Sequence, residues 1–283
     1  MIRKARFSDR RYLFDIWKIC FGDSKDYIEF FLENGFSEDN CLIWDEGGKP
    51  VAMLHLRMGE YIPSDNEFFK NYNLSVMYIY AAATLPEFQN HGIMSALINS
   101  VNRIATEKGY LFTFLLPGNE GLYNYYSKLG YITSFQIKKA VLSRKDLITF
   151  SPLNNYSGVG ASIAEQRKSF FVPSVKWNDK ELSYAIKEWQ LVSGEVLRFA
   201  GGYLLSRQMN DTVEVKEICG DFKTAAYTLL NKYKASKYSI LIAPQNDCPF
   251  KTIVLKYGMI RAESEKISEK IKSEQAYANL LLD

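Results

Sequence analysis

Apolar positions in this chain recur at two different spacings, and the switches between them mark out its elements. Residues 2–5 open with a strand pattern. Leu13, Ile16, Trp17 and Cys20 then recur at helical spacing behind Asp9, a candidate N-cap, and Gly22 closes that helix. Ser24 caps a second helix carrying Tyr27, Ile28, Phe30, Phe31 and Leu32, which ends at Asn34-Gly35. Strands over 41–44 and 51–60 flank Glu46-Gly47-Gly48, a hairpin turn. The polar stretch 63–72 is an excursion. A strand over 74–83 leads to a helix over 92–108, which puts Ile93, Leu97, Val101 and Ile104 on one face and stops at Gly109. The near-continuous apolar run 110–116 predicts a strand buried on both faces, followed by a short helix over 120–129 and a strand over 131–142. Hairpin strands followed by alternating strand and helix imply an α+β fold, a twisted mixed sheet with helices on its faces.

Residues 151–160 (Ser-Pro-Leu-Asn-Asn-Tyr-Ser-Gly-Val-Gly) have linker composition. Beyond them the pattern predicts a helix over 179–192, strands over 195–199, 203–208 and 212–218, a helix over 222–234, a strand over 238–243 and a helix over 250–257 ended by Gly258. That order repeats part of the first half. It reads as a degenerate internal duplication without obvious residue identity, and it divides the chain into 1–148 and 160–283.

Composition narrows the function classes. At 283 residues, with 47% apolar and 24% charged, the chain has ample core for two units. A net charge of +3 with no dense Lys/Arg stripe argues against nucleic acid as a partner. Cys20, Cys41, Cys219 and Cys248 are not paired at metal-ligand spacing, and with only His55 and His91 no metal site is expected. Buried free thiols, no signal-peptide pattern and no long apolar run make the expected location cytoplasmic, without a membrane partner.

The loop between the strand ending at Ala83 and the helix beginning at Gly92 carries the chemistry. The first amides of a helix have no intrahelical partner, point outward together and sit at the positive end of the helix dipole. They bind phosphate without Lys or Arg, and Gly92 lets an anion approach the backbone. The stretch Gln89-Asn90-His91-Gly92-Ile93-Met94 resembles motif A of the GNAT superfamily of N-acetyltransferases, Gln/Arg-x-x-Gly-x-Gly/Ala. Gln89 and Gly92 match it, Met94 stands where the motif ends in a small residue, and Pro86-Glu87-Phe88 is similar to the Pro-Glu-Tyr that often precedes it. The resemblance implies that residues 89–95, Ser95 included, hold the diphosphate of acetyl-coenzyme A as co-substrate. It also implies that backbone groups of Ala82, Ala83 and Thr84 hold the thioester arm, one of them donating to the acetyl oxygen. His91 is read as a solvent-exposed loop histidine or as a further phosphate contact.

Transfer from a thioester to an amine needs a proton for the departing thiolate, and a tyrosine is a suitable donor. Tyr126-Ser127-Lys128-Leu129-Gly130-Tyr131 resembles the family's motif B, which assigns the general acid to Tyr126. Asn119 matches an asparagine near the pantetheine arm. On residue type alone, Tyr126 is also a core aromatic. The strand 74–83 carries no carboxylate, so the base is left to a water chain, to Glu60, or to the end of the chain. Cys20-Phe21-Gly22-Asp23 with Tyr27 and Phe30-Phe31 is similar to two-part GNAT proteins related to the enhanced-intracellular-survival acetyltransferases. That resemblance implies the terminal carboxylate, here Asp283, as the base. That group also carries a further sterol-carrier-like domain, for which this chain is too short.

In the second half the matching loop reads Glu217-Ile218-Cys219-Gly220-Asp221-Phe222. Its two acids would repel a diphosphate, so one acetyl-coenzyme A per chain is expected. The second half would wall the acceptor pocket or form a homo-oligomer interface, with Trp177, Trp189 and Phe199 as core or pocket residues. Acceptors considered are a small amine, an aminoglycoside-like compound or a protein amine. Two rival readings are an aminoacyltransferase using charged transfer RNA and a non-catalytic acyl-coenzyme A sensor.

Overall fold

The computed structural model describes residues 1–150 and 162–279. The linker-like stretch 151–160 and Asp283 lie outside the described residues. The strands are β1 (Ile2–Lys4), β2 (Cys41–Glu46), β3 (Lys49–Ile62), β4 (Ser75–Thr84), β5 (Phe112–Leu115), β6 (Ile132–Ser143), β7 (Ser174–Trp177), β8 (Glu195–Phe199), β9 (Gly202–Met209), β10 (Thr212–Cys219), β11 (Lys237–Ile242) and β12 (Ile253–Ala262). The helices are α1 (Arg10–Phe21), α2 (Lys25–Asn34), α3 (Asn66–Phe69), α4 (Ile93–Glu107), α5 (Glu120–Ser127), α6 (Arg144–Phe150), α7 (Ile163–Phe170), α8 (Asp179–Leu191), α9 (Phe222–Lys232) and α10 (Glu265–Glu274).

Two compact units result, and neither is contiguous. Unit 1 comprises Met1–Glu60, Phe69–Thr133 and Gly258–Ser268; unit 2 comprises Tyr61–Phe68, Ser134–Tyr257 and Glu269–Asp283. This differs from the contiguous division drawn from the sequence, and the reason lies in the strands that close each sheet. In unit 1, β1 to β4 pair antiparallel in sequence order and β4 pairs parallel with β5. The last strand is β12, antiparallel to β5 with Met259 opposite Leu115. In unit 2, β8, β9 and β10 pair antiparallel and β10 pairs parallel with β11. The last strand is β6, antiparallel to β11. Each unit is thus a mixed sheet with the same run of strand directions; unit 1 is closed by β12, which follows the strands of unit 2 in the chain, and unit 2 by β6, which precedes its other strands.

β12 also overturns the helix expected over 250–257. Ile253 and Val254 are β-branched and favour a pleated backbone. Gly258, expected as a helix stop, lies inside the strand.

The helix faces behave as the spacing predicts. In α4, Ile93, Leu97 and Val101 are buried as expected, each contributing about 1.5–3 kcal/mol; Ile104 is only half-buried, and Ala105 is buried beside it. Gly109 ends the helix at φ +67°, a left-handed conformation that favours glycine. Ser24 caps α2 by accepting from the Tyr27 amide at 3.2 Å. In unit 2, Arg167 pairs with Glu217 through two bonds of 2.9 Å in a fully buried setting. Tyr203 and Tyr277 also donate to Glu217, so this buried charge is neutralised and its oxygens are occupied. Trp177, Trp189 and Phe199 are buried core residues. Cys41 and Cys219 are buried free thiols, while Cys20 and Cys248 are half-buried rather than fully enclosed. Among the described residues no helix is long and apolar enough to cross a membrane.

Candidate functional site

The central strand of unit 1 is broken at its far end. Met53 pairs with Ala83 and His55 with Tyr80, so Ala81 and Ala82 together face the single residue Leu54. This is a β-bulge, and Ala81 takes φ +48° to form it. The parallel pairing of β4 with β5 runs from Val76 to Tyr78. Among the described residues no strand pairs with the β5-facing edge of β4 beyond Tyr78, so the ladder between the two strands ends there, toward their carboxyl ends. Open α/β sheets bind ligands at such places.

The loop leaving β4 follows this unpaired end. Gln89 Nε2 donates to the Thr84 carbonyl at 3.0 Å, and the Gln89 amide is held by Pro86. Asn90 at φ +64° and Gly92 at φ +74° turn the backbone so that successive N–H groups converge. Gly92 is the N-cap of α4, and no side chain caps the helix. Among the described residues, none accepts a hydrogen bond from the amides of Asn90, His91, Gly92, Ile93, Met94 or Ser95. A run of unsatisfied amides on a helix N-terminus is an anion cradle. Met94 packs back on the core of unit 1, so its bulk is turned from the amides. His91 is exposed.

Tyr126 belongs to the same face of the sheet. It is buried in the cluster that holds Met77, Ile79, Ile93, Leu97 and Leu115. Ser95, in the first turn of α4, lies 2.9 Å from the Tyr125 hydroxyl, and the Tyr125 and Tyr126 rings are 5.1 Å apart. These contacts tie α5 to the amide cradle. Burial pushes the Tyr126 phenol up to about 12, so it is protonated at any working pH. Asn119 caps α5, its Oδ1 accepting from the Leu122 amide at 3.1 Å. That leaves its Nδ2 as the group able to meet a ligand.

The opposite face carries groups that the sequence did not single out as a set. Tyr27 and Tyr80 hydroxyls are 3.3 Å apart. Trp17 packs against Tyr80 with ring centroids 5.7 Å apart and donates from Nε1 to Asp23 at 2.8 Å. Cys20 Sγ reaches the Thr84 carbonyl at 3.4 Å, which fixes the end of α1 against the end of β4. The end of the β4–β5 ladder therefore has a tyrosine on one face and an aromatic group with a carboxylate on the other. In the sequence, Cys20-Phe21-Gly22-Asp23 with Tyr27 and Phe30-Phe31 hinted at this, without Trp17 or Tyr80.

Glu60 pairs with Ser75, at the other end of β4 from Ala82. At about 3.3 Å per residue, roughly 20 Å of strand separates it from the bulge, too far for a direct base. In unit 2, Glu217 is buried in its ion pair, so it is not the loop acid that the sequence suggested. Asp221 does stand at the matching loop, where it caps α9 by accepting from the Thr224 amide at 2.8 Å.

The family model for the GNAT acetyltransferase domain matches residues 1–133, which end where unit 1 hands the chain to unit 2. No curated protein matches the sequence. Among solved structures, a GCN5-related N-acetyltransferase from Anabaena variabilis superposes with a TM-score of 0.71 at 14% identity, covering 93% of this chain and 72% of its own. A probable N-acyltransferase from Enterococcus faecalis gives 0.70 at 14% identity, covering 93% and 72%. Eis1 from Mycobacterium abscessus gives 0.66 at 13% identity, covering 93% and 73%. At such identities the similarity establishes the two-part GNAT-like fold.

Proposed function

We propose, from the premise that residues 1–133 belong to the GNAT acetyltransferase family, that this protein transfers an acetyl group from acetyl-coenzyme A to an amine. The unpartnered amides of residues 90–95, beyond the end of the β4–β5 ladder, carry this reading. A diphosphate would satisfy them, and the Gly92 turn lets it come close. The pantetheine arm then lies along the unpaired edge of β4, past Asn119 Nδ2. The acetyl oxygen accepts from a backbone amide of the splayed segment 82–84, where strand pairing leaves room for it.

The acceptor approaches from the face of Tyr27, Tyr80 and Asp23. Asp23 attracts its ammonium form. The amine must lose a proton before attack, and the resemblance to two-part GNAT proteins assigns that base to the terminal carboxylate of Asp283. Attack forms the C–N bond and breaks the C–S bond, and the nitrogen gives up its second proton to solvent as the amide forms. The thiolate leaves with the proton of Tyr126, which regains one from solvent. A phenol raised to about 12 holds its proton through the attack; the departing thiolate is the weaker base, and the transfer is drawn forward as the phenolate regains a proton from solvent.

The test is release of free coenzyme A thiol from acetyl-coenzyme A, followed across small amines, aminoglycosides and peptide amines. Release that requires an amine, with a matching acetylated product, supports the proposal. Tight binding of acetyl-coenzyme A with no amine-dependent release in any class would make the protein a binding module instead.

A further inference from the structure

Unit 2 repeats the frame of unit 1. β10 carries a bulge at Lys216, between the pairs Val215–Ser206 and Glu217–Leu205. Its parallel pairing with β11 ends at Val215 and Ile240. Past that point β10 runs on to Cys219 and β11 to Ile242. A cavity of about 270 Å³ lies at these carboxyl ends, walled by Phe170, Ile218, Phe222 and Ile242, with Gln245 and Asp247 among its polar lining. The position follows the rule for ligand sites at the carboxyl ends of parallel strands. The volume lies just under the usual range of ligand pockets, about 300–1,000 Å³, and limits the occupant to a molecule of no more than roughly ten non-hydrogen atoms.

The chemistry of the lining excludes the ligand that suits unit 1. The N-terminus of α9 is already capped, because Asp221 accepts from both the amide and the hydroxyl of Thr224 at 2.8 Å. A phosphate would have to displace that carboxylate and face its charge. No Lys or Arg lines the cavity among the described residues; Lys138 donates to the Asn246 carbonyl at 3.0 Å and is not part of the lining. Asp247 contributes a carboxylate. Gln245 is oriented by its Nε2 bond to the Pro173 carbonyl at 3.3 Å, and its Oε1 lacks a donor. Phe170 is 37% exposed, an aromatic wall left open to solvent.

We infer that unit 2 holds a ligand site of its own, between the ends of β10 and β11, for a small organic amine with an apolar or aromatic body. The ring would lie among Phe170, Ile218 and Phe222, with its ammonium toward Asp247. The site is separate from the acetyl-coenzyme A cradle and stands whether or not unit 1 is catalytic.

The experiment uses the full chain saturated with coenzyme A, so that unit 1 is occupied and no turnover occurs. Benzylamine is titrated by calorimetry beside phenylacetate, an anion of similar size. The expected result is saturable benzylamine binding at least tenfold tighter than phenylacetate. Asp247→Asn should weaken it at least fivefold, and Ile218→Trp, which fills the cavity, should abolish it. Should Ile218→Trp fail to fold by circular dichroism, Phe170→Ala replaces it, with a severalfold loss expected. Equal binding of the anion, unchanged binding in Asp247→Asn together with the cavity variant, or no saturable binding each overturns the inference.

Discussion

Gly92→Asp is the sharpest perturbation of the amide cradle, because the protein already contains the comparison. The helix of unit 2 that begins at the corresponding place is capped by Asp221, while α4 has Gly92 and no side-chain cap. A Cβ at Gly92 meets nothing within 4 Å, so no clash results. The φ of +74° costs an L-residue about 1–2 kcal/mol, least for Asn and Asp. The new carboxylate would sit beside the diphosphate. At about 5 Å, one pair of unit charges repels by ~0.8 kcal/mol at the dielectric constant of water and ~3 kcal/mol at an effective value of 20. Coenzyme A affinity should therefore fall about 4- to 160-fold. Gly92→Asn carries the same backbone strain without the charge and isolates the Coulomb contribution. Calorimetry at 20 mM and 1 M salt is the assay, since the Debye length shrinks to about 3 Å at 1 M. The Asp variant should bind more weakly than Asn at low salt, and the difference should narrow at high salt. Equal affinities of the two variants at low salt would refute the placement of the diphosphate.

Tyr126→Phe should lower kcat by about 10²–10⁴-fold with little change in acetyl-coenzyme A affinity, and deletion of residues 280–283 should lower kcat by an independent route; wild-type turnover in both variants removes the mechanism. Because burial places Tyr126 near 12 in the folded chain against about 10 unfolded, its neutral form stabilises the fold fully below pH 10, and that contribution drains as pH rises toward 12. His55 shows the opposite pH dependence. Burial, then the nearby Arg57 charge, lowers it to about 3, so the unfolded chain takes up the proton first as pH falls through about 6.5, and stability is lost below that value. Between pH 6.5 and 5 the loss is about 2 kcal/mol; urea titrations should show His55→Phe free of that decrement, and an unchanged decrement would count against it. Glu217→Gln should cost about 3–5 kcal/mol by leaving Arg167 buried without its counter-charge. The double variant Arg167→Met, Glu217→Leu should cost less than the two single changes summed, and strict additivity in urea unfolding would show that the pair is not coupled.

The parts of this site that rest on local backbone demands were legible in the sequence. Gly92 and the motif around it announce a turn into a helix, and the structure places an uncapped helix start there. Gly130 marks the end of the Tyr126 helix just as plainly. The bulge at Ala81 was not legible, because alanine gives no sign that it will adopt a positive φ. The partner imposes it, through the register of β3. Closure of each sheet by β12 and β6 was equally hidden. A strand's hydrophobic pattern says that it needs neighbours, not which ones, and the choice of β12 for β5 is made across more than half the chain. The helix expected over 250–257 failed for a related reason: a short apolar run near a glycine suits either element, and pairing with β5 decides it. Asp23 and Trp17 stood in view as residues, but only packing joins them to Tyr80.

The two units also show why the cradle is better explained by a ligand than by an accident of folding. Both have a bulged central strand, a parallel neighbour whose pairing with it ends early, and a helix that begins beyond it. A side-chain cap on such a helix is worth about 0.5–2 kcal/mol. Unit 2 has one in Asp221. Unit 1 forgoes it and holds two turn residues on either side of His91, Asn90 and Gly92, in left-handed conformations, leaving the amides of residues 90–95 without acceptors among the described residues. In the left-handed turn at Gly92 (φ +74°) a carboxylate would give back in backbone strain about what the cap contributes, so the turn itself keeps side chains off these amides. The arrangement makes physical sense if the missing acceptor arrives in solution, as a diphosphate able to occupy several of those amides at once.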